Sequence, residues 1–119
     1  MAALYALLRP DRVAAFGVFG ADPSELVWNC AGSGPPAAVL YRACDSVTRC
    51  RDVETWLDRR RQVGAATMSL RLGVGKATET NCAVSRCSDK RGAVNHARWP
   101  KPREGEMLEY LATFELRSQ

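Results

Sequence analysis

The apolar pattern predicts a mainly α fold of short, repeat-like helical hairpins in a single domain. Three stretches carry that expectation. In PAAVLYRACDSVTRC, Ala37, Leu40, Tyr41 and Cys44 recur at helical spacing. DVETWLDRRRQVG sets Val53, Trp56 and Leu57 on one face ahead of Gly64, a residue suited to the position just past a helix end. AVNHARW reads as a further helix, interrupted by Pro100. Residues 1–34 are read as an N-terminal segment and 35–119 as the hairpins, a length that suits one modest core.

Taken in order, the N-terminal third is punctuated by Pro and Gly and reads two ways. ALYALLRPDRVAAFGVFGADPSELVWNCAG makes three short helices, with Asp22 as N-cap, Pro23 at the first helical position and Glu25 completing the cap. Alternatively, VAAFGVFG and LVWNC are strands joined by ADPSE, giving an α+β domain of profilin-like or longin-like build. The helical reading is preferred. AGSGPP, residues 31–36, breaks the chain. The next two helical stretches, with Asp52 as a plausible N-cap of the second, pair as an αα-hairpin. Alternation in MSLRLGV favours a strand and TNCAVSRC fits strand or helix, so residues 67–87 stay open. GEMLEYLATFELRS fits a helix or a terminal strand, which leaves 106–117 open as well.

Lys and Arg number 17 against 13 acids, a net charge of +4 that permits RNA as a partner without requiring it. Lys occurs only at Lys76, Lys90 and Lys101, so the cations are mostly Arg, whose planar fork suits phosphate and carboxylate. Arg59, Arg60 and Arg61 form the densest patch. They read as a contact surface or as a solvated helix end complementing the helix dipole. The five Cys match no secreted disulfide framework, which points to a reducing, intracellular compartment and to small residues at helix contacts. Arg9 and Arg12 against Asp11 resemble a targeting segment for a mitochondrion or plastid. VAAFGVFGA is far shorter than the roughly 20 apolar residues of a membrane span.

No pattern of catalytic residues emerges. GVGKAT fails the phosphate-loop pattern, with Ala77 where a hydroxyl residue is required and Leu70 where the first Gly belongs. Cys44, Cys50, Cys82, Cys87 and His96 are the right types for zinc, but their spacings lack the compact separations of zinc sites. Cys87 with His96 could form a nucleophile and base, yet the sequence supplies no orienting acid. Glu104, Glu106 and Glu109 read as a linker and helix start, where acids favour the dipole.

CRDVETWLDRRRQVG and CSDKRGAVNHARW share an order of Cys, basic turn, Val and Trp at a spacing of about 40 residues, within the range of helical repeats. NCAVSRCSDKRGAVNHARW and LYRACDSVTRCRDVETWLDRRRQVG resemble pentatricopeptide repeats, and REGEMLEYLATFELRSQ resembles one repeat running into the next. The resemblance spans residues 36–119 and implies stacked helical hairpins whose first helices read RNA bases. By local match it puts Asn81 at a base-reading position, with Ala38 and Leu72 at the equivalents.

The expected function is that of a non-enzymatic structural or interaction subunit of a larger assembly, with other protein subunits as partners. An RNA-binding helical-repeat module and an α+β adaptor are the alternatives. The expected contact residues are Arg59, Arg60, Arg61, Asn81, Arg91 and Trp99, and no cofactor or metal is expected. Trp28 and Trp99 are candidate partner anchors.

Overall fold

A computed structural model describes residues 5, 8–20, 35–73, 80–82, 87 and 89–115. After a 3-10 turn at Pro10–Arg12, strands β1 (Phe16–Phe19), β2 (Ala37–Arg42) and β3 (Thr67–Leu72) form a parallel sheet in the order β1-β2-β3. Helix α1 (Cys50–Gln62) connects β2 to β3, while α2 (Asp89–Ala97), a further 3-10 turn (Lys101–Arg103) and α3 (Glu104–Ala112) follow the sheet. The fold is α+β. It corrects the mainly α expectation and the pentatricopeptide-like one, because the supposed first helix after Pro36 is the central strand and no stacked hairpins occur among the described residues.

β2 explains the misreading. All six of its residues are buried, since both faces and both edges are covered. A strand of this kind shows no polar alternation, so its apolar spacing imitates a helix. Its register with β1 runs from Phe16↔Ala37 to Phe19↔Leu40, and with β3 from Ala37↔Thr67 to Arg42↔Leu72. Ala37, Val39 and Tyr41 therefore face α1 with Phe16, meeting Cys50, Val53, Trp56 and Leu57. Ala38 and Leu40 face the other way with Leu72, against Met107 of α3. The sheet is thus a middle layer between α1 and α3.

α1 follows its sequence pattern, with Val53, Trp56, Leu57 and Arg60 buried on one face. Gly64 ends it at φ +77°, a conformation that glycine adopts without steric cost, and its N–H returns to the Arg61 carbonyl. The start differs from expectation: Arg49 is the N-cap residue and Asp52 lies in the first turn. The preferred helical reading of the N-terminal third fails at 16–19, which is a strand. The open segment 67–72 is a strand, and 104–112 is a helix with Glu104 and Glu106 in its first turn. The ADPSE cap, Trp28 and most of GVGKAT lie outside the described residues.

Candidate functional site

Two groups of side chains stand out beside the sheet. The first lies where α1 faces β3. Glu54, one turn after Cys50, accepts a hydrogen bond from the Tyr41 hydroxyl at 2.8 Å and from Arg71 Nε at 2.6 Å, both at Oε2. A second Arg71 nitrogen completes the ion pair. The other oxygen, Oε1, lies 3.2 Å from Cys82 Sγ. Burial, followed by the hydrogen bond and charge of Glu54, pushes the Tyr41 phenol up to about 12. A cleft of about 410 Å³ opens here, lined by Tyr41, Glu54, Asp58, Arg61, Ser69 and Arg71.

Cys82 is bonded to Cys50, the first residue of α1, and Cys87 to Cys44, just past β2. These two disulfides correct, for four of the five cysteines, the expectation of small residues at helix contacts, while Cys30 lies outside the described residues. The sulfurs of Cys50 and Cys82 and a Glu54 oxygen fall within 4.8 Å of one another. With the sulfurs bonded to each other this is a disulfide beside a carboxylate, and the pairing accounts for four of the five candidate zinc ligands.

The second group joins α2 to the loop after β2. The Asp45 side chain is almost wholly buried: Oδ1 accepts the Val47 and Thr48 N–H groups, each at 2.9 Å, and Oδ2 meets His96 Nδ1 at 3.1 Å. Asp45 is the orienting acid the sequence did not reveal, but it orients His96 alone, because Cys87 is tied up in its disulfide. Asn95 Nδ2 donates to the Cys44 carbonyl at 2.9 Å. Gly92 packs so closely that an added Cβ would lie 2.6 Å from Ser46 N. Gly92, Asn95 and His96 share one helical face, so α2 docks through that face.

Its outer face is exposed at Lys90, Arg91 and Val94, and the exposed Arg98, Trp99 and Lys101 follow the helix. Trp99 is half-exposed, packs edge-to-face on Phe19 and donates through Nε1 to Glu104 at 2.6 Å. Two of the expected contact residues, Arg91 and Trp99, therefore stand at this surface.

The other expected contact residues are dispersed. Arg59, Arg60 and Arg61 do occupy the last turn of α1, but the helix divides them. Arg60 is only 2% exposed; it bonds Thr67 Oγ1 and the Pro35 and Ala66 carbonyls and lies over the rings of Trp56 and Phe16. Its burial lowers its pKa. Arg61 is exposed and binds Asp58 and Ser69. Asn81 is exposed in a bend, while Ala38 and Leu72 are buried strand residues, so the three do not share the base-reading geometry that the repeat resemblance implied. Glu54, Asp45 and the disulfide partners were missed. No spacing rule reveals pairings across 43 and 32 residues.

Among the described residues no helix is long and apolar enough to cross a membrane. Comparison with protein-family models, curated proteins and solved structures finds no match for the chain.

Proposed function

We propose that the chain is an α+β interaction module that binds an acidic segment of a partner protein on the outer face of α2. The observation that carries this reading is the exposed run of Lys90 and Val94 on α2 with Arg98 and Trp99 just past its end, on a helix whose opposite face is fixed to the body. Cations flanking an aromatic and an aliphatic residue offer an acidic amphipathic segment both charge steering and an apolar anchor. A rigid mount lowers the ordering cost of binding. RNA fits less well as the occupant, because the alternative that named it required a groove of stacked hairpins.

The test is the double substitution Lys90→Glu with Arg98→Glu, followed by cross-linking from position 94 in the native assembly. Wild type should yield cross-linked peptides rich in Asp and Glu. The variant should lose affinity by about tenfold or more at low salt, with the difference shrinking as salt rises. Recovery of RNA, or unchanged binding across the salt series, would overturn the proposal.

A further inference from the structure

We infer that the Cys50–Cys82 disulfide is a thiol-exchange site, with Glu54 as its proton acceptor and a thiol as its substrate. This goes beyond docking at α2 and does not depend on it. Three observations converge. Cys82 is half-buried whereas Cys50 is 4% exposed, so an incoming sulfur reaches Cys82 first. Glu54 Oε1 stands 3.2 Å from Cys82 Sγ, and Oε2 is held by Tyr41 and Arg71, which fixes the carboxylate in that direction. Cys50 is the first residue of a 13-residue helix with no side-chain cap, flanked by exposed Arg49 and Arg51 and followed by the exposed Asp52. A thiolate at that end is stabilised by the helix dipole and first-turn N–H groups, and a stabilised thiolate leaves more readily.

An incoming thiol passes its proton to Glu54 as its sulfur bonds to Cys82 Sγ. The Cys50–Cys82 bond breaks, and its electron pair leaves on Cys50 as thiolate. A second thiol attacks the substrate sulfur of this mixed disulfide and releases its own proton to solvent. Cys82 departs and takes the proton held by Glu54. Two thiols are oxidised to one disulfide, and the protein disulfide is reduced to two cysteines by the same two electrons.

The thiol could belong to a small molecule or to a protein, and the experiment separates the two. The folded chain, with both disulfides formed, is treated in one arm with reduced glutathione and in the other with a reduced thioredoxin carrying a single active-site cysteine. Free thiols are trapped by alkylation and mapped by mass spectrometry. The expected intermediate carries the added thiol on Cys82 and the alkyl group on Cys50, while Cys44–Cys87 stays intact; the arm that reacts faster identifies the source. Glu54→Gln should slow this exchange by about a hundredfold or more, and Tyr41→Phe, which leaves the carboxylate in place, should slow it less. Adducts on Cys50, earlier opening of Cys44–Cys87, an unchanged rate in a folded Glu54→Gln protein, or no reaction in either arm would each overturn the proposal.

Discussion

The α1 side of the sheet and the α2 junction are held by opposite means. Under α1, Trp56, Leu57 and Val53 pack on Val39, Tyr41 and Phe16, and the polar Arg60 is accommodated by stacking and three hydrogen bonds. Under α2, a buried carboxylate, an amide and a glycine make the contact, with the Cys44–Cys87 disulfide beside them. The first arrangement draws its stability from burying apolar surface, which is nondirectional and large. The second draws on directional bonds, individually worth about 1 kcal/mol, which fix orientation more than they add stability. This contrast leaves α2 free to present apolar residues outward.

The strongest way to break the contrast is at the two tryptophans. Trp56 is 3% exposed and Trp99 50%. Trp56→Ala should cost about 3–5 kcal/mol, whereas Trp99→Ala should cost about 1 kcal/mol, the worth of its hydrogen bond and edge-to-face contact. Chemical denaturation of both variants decides this, and equal losses would erase the distinction between the two regions.

Gly92→Ala sharpens the picture of the polar junction. The added methyl group collides with Ser46 backbone and side chain, so α2 must shift and loosen the Asn95 and His96 bonds, at a cost of about 1–3 kcal/mol. Hydrogen exchange should show faster amide exchange in α2 with β2 and α1 amides unchanged. Uniform acceleration across all three elements would contradict two separately held regions.

The smallest effect is expected at Tyr41→Phe, which removes one hydrogen bond to Glu54 and about 1 kcal/mol. Its pH dependence has a definite sign. The folded phenol titrates at about 12 against an ordinary value of 10.0, so between those values the unfolded chain loses a proton that the folded chain keeps. Stability contributed by the protonated phenol is complete below pH 10 and declines as pH rises toward 12. Urea midpoints across that window should fall more steeply for wild type than for Tyr41→Phe, and parallel curves would remove Tyr41 from the account.

How legible each element was follows from how many of its faces are covered. α1 has one apolar face and one wet face, and its period and its Gly64 terminator were plain in the sequence. β3 alternated enough to favour a strand, because Thr67, Ser69 and Arg71 meet polar partners on the α1 side while Met68, Leu70 and Leu72 face the α3 side. β2 was read as a helix because its neighbours bury every side chain. The candidate sites were less legible still. Val94, Arg98 and Trp99 stand close together in sequence, whereas Glu54 gains its meaning from Cys82, 28 residues away, and His96 from Asp45, 51 residues away. The arginine triplet misled for a related reason: on a helix, adjacent residues point in different directions, so one of the three was bound to turn inward.

The all-parallel sheet also governs how the chain finds its structure. Parallel neighbours cannot be joined by a tight turn, so each pairing in β1-β2-β3 requires the chain to leave the sheet and return. Loop closure must precede the contacts that compensate for it, which places this topology among slower folders than a helical array of equal length. Helix α1 shortens the search between β2 and β3, since a strongly one-sided helix brings its own apolar face to both strands. The β2-α1-β3 unit is therefore the natural nucleus, and β1, only four residues long and paired along one edge, is the strand whose attachment comes late.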